Sequence, residues 1–298
     1  MARCPIPAPP RKTEIMLITT RSTADSHRLE LESNGRIDRL REMYWDKTHE
    51  AAIVQKPVAG SGESTLTGHA KDFASLLDAS DPFIQPDEMI VGARLATPEV
   101  ADSIDLGEYD PHYPPGHALL VAKGFPGVRD EARARLQTET NPASRDFLQA
   151  VEIAYDAACR YVAKYAKEAT MLAAAESDPA RKAELARISE ISSELASGPP
   201  ASFHSALQQL QFVRVLGGRG CIGRFDQWMY PLYERDIDRR LITRDQAQEL
   251  LECLFLKLNH FPEANLADND TLRNISLAGQ TFDGRDASNE VTYMCIEA

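Results

Sequence analysis

The sequence predicts a mainly α-helical chain with a few short strands. From Asn141 onward, apolar residues recur at three- and four-residue spacing through one stretch after another. Asn141-Pro142 and Asp178-Pro179 each place a capping side chain before a proline at the first helical position. Strand-like runs are confined to the short stretches 82–92 and 274–279.

Taken in order, residues 1–25 are rich in Pro, Thr and Ser and are expected to fray. Ser33 to Lys47 reads as a helix, with Ile37, Leu40, Met43 and Tyr44 on one face, and Gly60 to Thr65 breaks it. A short helix over Ala70 to Leu77 follows, then a turn at Pro82 leading into an apolar strand that ends at Gly92. Residues 95–117 are irregular, punctuated by Pro98, Pro111, Pro114 and Pro115, and the stretch 93–116 reads as a loop or an internal shortening. Beyond Asn141, Phe147, Val151, Ala154, Ala158, Tyr161, Tyr165 and Ala169 line one face for roughly six turns. Leu185, Ile188, Ile191 and Leu195 form the next stripe, stopped by Gly198-Pro199-Pro200. Ser202 is expected to cap a helix through about Val215.

After the glycine cluster at 217–223, Trp228, Leu232, Tyr233 and Ile237 give another amphipathic helix with Pro231 in its first turns. Thr243-Arg-Asp-Gln246 matches a capping box and opens a helix that is apolar nearly all round over Leu250–Leu258. The stretch 274–279 reads as a buried strand, 283–286 as a turn, and Ser288 as the cap of a final helix. Residues 26–298 are thus expected to be the N-terminal part of a larger domain, and the chain reads as cut at Ala298 rather than finished.

The 298 residues are 43% hydrophobic and 26% charged, the balance of a globular chain. The N-terminus lacks the apolar core of a secretion signal, and no run approaches the ~18 apolar residues of a membrane span, so a cytoplasmic protein is expected. A formal charge of −12 repels phosphate backbones and argues against nucleic acid as a partner. Five cysteines, at 4, 159, 221, 253 and 295, are odd in number and lack CxxC spacing, which argues against a disulfide framework or a zinc ribbon.

Gly218-Arg-Gly220-Cys-Ile-Gly223 fits GxGxxG, the spacing that brings backbone amides to a pyrophosphate, but a helix precedes it and no βαβ unit surrounds it. A glycine-rich bend is the plainer reading; nucleotide binding at Gly218–Gly223 is a distant alternative. Cys221 lies between Arg219 and Arg224, a setting that favours thiolate, yet no base is identifiable from spacing. Cys159, Cys253 and Cys295 read as core residues. His112 and His117, near Asp110, lack a third ligand of recognisable geometry, so no metal is expected. His204 reads as an ordinary surface or boundary residue, and Asp226 as a side chain suited to a helix start.

Several stretches in this order resemble the glycyl radical enzyme family, which includes pyruvate formate-lyase, glycerol and choline lyases and arylacetate decarboxylases. They are Arg36-Ile-Asp-Arg-Leu-Arg41, Pro82-Phe-Ile-Gln-Pro-Asp-Glu-Met-Ile-Val-Gly92, Gly116-His117 with Lys123-Gly-Phe-Pro-Gly-Val128, Asp178-Pro-Ala-Arg-Lys-Ala-Glu-Leu185 and Ser202-Phe-His-Ser-Ala-Leu207. The most specific is Gly223-Arg-Phe-Asp-Gln-Trp-Met-Tyr-Pro-Leu-Tyr233, followed by Leu241 to Leu251 and Gly279 to Glu290. The resemblance implies the N-terminal part of a ten-stranded α/β barrel wrapped by helices, of the radical lyase, dehydratase, decarboxylase or formate acetyltransferase type. In that family a loop cysteine relays a radical from a backbone glycine, installed by an S-adenosylmethionine-dependent iron-sulfur activating enzyme, and burial shields the radical from oxygen. Complete relatives commonly pair as homodimers, and no other bound cofactor is implied.

The cysteine loop (Gly-Cys-Val-Glu) and the radical loop (Arg-Val-x-Gly) are expected to be absent from this chain and to lie beyond Ala298, leaving the chain inactive alone. A truncated, non-catalytic scaffold is the alternative. Where polyol-cleaving members carry Asn-Gly-His-Ser, this chain has Gly217 to Cys221, which counts against a diol; Arg219 there suits a carboxylate or sulfonate. The substrate-pocket candidates are His117, Arg219, Cys221, Arg224, Asp226 and Gln227.

Overall fold

A computed structural model describes residues 35–45, 60–92, 115–217, 220–259 and 274–298. The elements are α1 (Arg36–Trp45), α2 (Leu66–Ala79), α3 (His117–Leu136), α4 (Pro142–Ala175), α5 (Pro179–Ser197), α6 (Phe203–Val215), β1 (Gly223–Arg224), α7 (Phe225–Asp238), α8 (Arg244–Asn259), β2 (Ile275–Ser276) and α9 (Glu290–Glu297). His112, Arg219 and most of the proline-rich stretch 95–117 lie outside the described residues.

The capping signals act as their chemistry dictates. The Asn141 side chain accepts N–H bonds from Ala143 and Ser144, and Asp178 accepts from Ala180, satisfying donors that a helix start leaves open. Ser202 and Ser205 cap α6 reciprocally, and Thr243 and Gln246 do the same at the start of α8. The α5 stripe is buried as read. On α4 the inward face is one residue off in the second turn: Leu148 is buried, whereas Phe147 is 55% exposed.

Two apolar clusters share α6. One gathers α2, α3, α4 and α5 around Phe212, Val213 and Val215; the other gathers α1, α7, α8 and α9 around Phe203, Ala206, Leu207 and Leu210. Enclosed from both sides, α6 buries all thirteen of its residues. This corrects the reading of His204, which is buried and bonds the Met89 carbonyl through Nε2 at 2.9 Å. Burial pushes its pKa down to about 4 against the weaker opposing effect of that bond, so the ring is neutral at pH 7.

The enclosed polar side chains of α6 explain a second correction. Residues 88–92 form no strand, because their backbone is paired by side chains instead of by a neighbouring strand. Gln208 donates to the Val91 carbonyl at 2.7 Å and accepts from the Val91 N–H at 2.8 Å, and Gln211 donates to the Gly92 carbonyl. The stretch 274–279 is likewise less than a buried strand: only Ile275 and Ser276 pair, in parallel with Gly223 and Arg224, and Ser276 is exposed. The last helix is capped one residue later than expected, by Asn289 with Thr292, because Ser288 bonds back to Asp286.

Helix α3, on which the sequence pattern carries no expectation, holds Gly124, Pro126 and Gly127 within its length. It is kinked at Gly124, whose φ of +66° and ψ of 174° are non-helical. A Cβ there would sit 2.5 Å from the Gly198 carbonyl oxygen, so only glycine lets α3 pass the end of α5.

Candidate functional site

The segment from 217 to 233 runs from the end of α6 through β1 into α7. No strand precedes Gly218 among the described residues, so the βαβ setting of a dinucleotide fingerprint is missing. The parallel pairing of Gly223 with Ile275 instead brings the stretch 274–292 against the start of α7.

Three of the candidate residues converge on that stretch. The Arg224 guanidinium donates to the Ala278 carbonyl at 2.8 Å. The carboxylate of Asp226, fully buried, accepts from the Ala278 N–H at 2.6 Å and from the Thr292 hydroxyl at 2.5 Å, both on Oδ2. The Gln227 amide donates to the Ala287 carbonyl at 2.8 Å. Together they fasten β2 and α9 to α7, so their polar groups meet backbone and cap partners in this chain. Asp226 Oδ1 is buried with no hydrogen-bond partner among the described residues.

Cys221 is half-buried; its thiol donates to the Asn274 carbonyl at 3.3 Å and its sulfur accepts from the Gly223 N–H at 3.3 Å. The buried thiols differ. Burial pushes Cys159 up to about 11, Cys295 up to about 12 and Cys253 well above its ordinary range, so they remain protonated core residues.

His117 occupies the first turn of α3 and is only 5% exposed. Its ring stacks on Trp228 of α7, with centroids 5.7 Å apart and planes 12° from parallel. Burial, and secondarily the charge of Arg214, push its pKa down to about 4. The imidazole is therefore neutral at pH 7, and its Nε2 has no hydrogen-bond partner among the described residues. A neutral ring with one nitrogen available can accept or donate a hydrogen bond to a hydroxyl or an anion. Sequence reasoning missed the frame around it: Trp228, Arg214, and Gln209, which holds the Leu120 carbonyl at 2.8 Å. The available signal was the run of glutamines and an arginine within the apolar helix α6.

One motif reading needs correction. Arg214-Val215-Leu216-Gly217 does spell Arg-Val-x-Gly. The structure places its first two residues in the last turn of α6 and leaves Gly217 exposed, whereas a backbone radical needs shelter from oxygen. No group of three or more His, Cys, Asp or Glu among the described residues is arranged to hold a metal ion, and no helix among them is long and apolar enough to cross a membrane.

The described residues thus form a two-cluster helical body in which a Gly-Arg-Phe-Asp-Gln motif clamps a returning segment. The pyruvate formate lyase-like family model matches residues 109–298, and the chain belongs to that family. It is similar to isethionate sulfite-lyase of Nitratidesulfovibrio vulgaris, with 32% identity over 200 residues, covering 60% of this chain and 24% of the relative. It is also similar to (2S)-3-sulfopropanediol dehydratase of Klebsiella oxytoca, with 33% identity over 202 residues, 61% of this chain and 24% of the relative. A structure describing 1,2-propanediol dehydration in Roseburia inulinivorans superposes with a TM-score of 0.72 at 24% identity, covering 88% of this chain and 45% of that one, a likeness of fold. The chain spans about a quarter of the length of these curated relatives.

Proposed function

We propose that this chain supplies the N-terminal wall and wrapping helices of a glycyl radical lyase or dehydratase acting on a small hydroxylated anion. The observation that carries the reading is the division of labour in the site. Arg224, Asp226 and Gln227 hold the returning segment in place, which leaves His117, stacked on Trp228, to meet a substrate, with Cys221 and Arg219 on the adjoining glycine segment. The two curated relatives carry isethionate and 3-sulfopropanediol, both sulfonates, in their names, and an arginine in that segment suits such a group.

Under this reading the hydrogen-abstracting cysteine and the radical glycine come from polypeptide other than these 298 residues, a separate activating enzyme installs the radical, and the chain alone is inactive. A second reading, a non-catalytic scaffold, draws on the fact that Arg224, Asp226 Oδ2 and Gln227 already have partners in the returning segment. Sequencing the DNA beyond codon 298 separates the two. In-frame continuation into Gly-Cys-Val-Glu and Arg-Val-x-Gly loops supports the enzyme; a stop codon supports the scaffold. Anaerobic treatment of the chain with S-adenosylmethionine, reductant and a relative's activating enzyme should give no glycyl doublet by electron paramagnetic resonance. A doublet abolished by Gly217→Ala would place a radical in this chain and overturn the inactive reading.

A further inference from the structure

His117 opens α3, and the turn that carries it is fastened independently of its ring. The Leu120 N–H donates to the Gly116 carbonyl at 3.1 Å, and Gln209 of α6, itself buried, donates to the Leu120 carbonyl at 2.8 Å. The backbone of the turn is thus held by α6. The imidazole is not held in the same way, because its Nε2 makes no hydrogen bond among the described residues. Rotation of a flat ring about its bond to Cβ has only a broad, two-fold preference, so covalent geometry sets the ring plane loosely.

Aromatic contact sets it instead. The indole of Trp228 lies 12° from parallel to the imidazole with centroids 5.7 Å apart, an offset-stacked arrangement. That indole has a backing of its own. Phe225, three residues earlier and so on the same face of α7, is fully buried and meets the indole edge to face, at 5.2 Å and 76°. Phe225 packs in turn on Phe255 of α8, at 6.5 Å. A row of rings therefore runs from α8 through α7 to the first turn of α3, and His117 is its end.

We infer that Trp228 is a positioning residue for His117: its indole fixes the plane of the imidazole, so that Nε2 is presented in one orientation. The inference rests on the reading of His117 as the group left to meet a substrate, and Trp228 acts through that ring. Side chains that work on a substrate need rotamers locked by packing, since a misplacement of about 1 Å can cost roughly a hundredfold in rate.

The test is nuclear magnetic resonance of the 298-residue chain labelled at its seven histidines, with the His117 signals identified by their loss in His117→Gln. In the wild-type chain the His117 ring protons should cross-relax with the Trp228 indole, lie upfield of their ordinary position and report a rigid ring. Trp228→Leu should abolish the upfield displacement and set the ring moving on the picosecond-to-nanosecond timescale of free side chains. Trp228→Phe, which restores a flat partner, should recover the rigid signature. Tyr233→Leu removes a ring of the same helix that packs on Phe203 instead, and should lower the melting temperature while leaving the His117 signals in place. His117 signals unchanged in Trp228→Leu, unrecovered in Trp228→Phe, or equally moved by Tyr233→Leu overturn the inference. If thermal melts show that Trp228→Leu does not fold, the wild-type cross-relaxation and ring rigidity decide, and absence of either overturns it. The radical-enzyme reading is decided separately, by the DNA beyond codon 298, so either can fail without the other.

Discussion

Lys257 and Glu88 form an ion pair in which neither side chain is exposed to solvent. The Tyr44 hydroxyl donates to the same carboxylate at 2.8 Å, the Gln85 N–H donates to its other oxygen at 3.0 Å, and the Lys257 ammonium lies 5.1 Å from the centre of the Tyr44 ring. The pair therefore pins the irregular segment 82–92 to both α1 and α8. Removing one charge strands the other in a dehydrated site. Lys257→Met or Glu88→Gln alone should lower stability by about 3–5 kcal/mol. The double variant should recover much of that loss, and urea denaturation of all four proteins measures the coupling.

The Thr292 hydroxyl has two duties: it donates to Asp226 and accepts the Asn289 N–H in the α9 capping box. Thr292→Val keeps the shape and removes both, so a loss of about 2–3 kcal/mol is expected. Hydrogen exchange should show the damage as faster exchange in α9, with α4 and α5, which belong to the other apolar cluster, unchanged. Uniform acceleration would mean that the clamp on the returning segment is not a local device.

What the sequence made legible follows from how local each signal is. The starts of α4, α5 and α6 were readable because Asn141, Asp178 and Ser202 bond amides two or three residues away. The fate of the segment 88–92 was not, because Val91 takes its partner from Gln208, 117 residues further along the chain. His204 was misplaced for the same reason. Arg224, Asp226 and Gln227 were recognisable as a motif, but their partners lie more than fifty residues further on. Chemistry that depends on distant pairing cannot be deduced from spacing alone.

His117 and His204 give stability a definite pH dependence. Both have native pKa values pushed down to about 4, from an ordinary value of 6.5, chiefly by burial. Between those values the unfolded chain binds protons that the folded chain refuses, so stability rises with pH. The contribution is fully present above about pH 6.5 and is lost as pH falls toward 4. Urea midpoints should therefore drop from pH 7 to about pH 5 with the slope of more than one proton. His204→Gln, whose amide can still meet the Met89 carbonyl, should flatten that slope by about one proton; an unchanged slope would show that other groups carry it.

Gly124 tests whether close passage or backbone conformation governs the kink in α3. Its φ is +66°, and an added Cβ would lie 2.5 Å from the Gly198 carbonyl oxygen. Gly62 also has a positive φ, +72°, but an added Cβ there meets nothing within 4 Å. Gly62→Ala therefore reports the conformational strain alone, about 1 kcal/mol. Gly124→Ala adds a backbone collision that no side-chain rotation can relieve, and should cost about 2–4 kcal/mol or force α3 away from the end of α5. Thermal unfolding of the two variants side by side reads the difference. Equal losses would mean that the approach of α3 to Gly198 relaxes without penalty, and that conformation alone selects glycine at the kink.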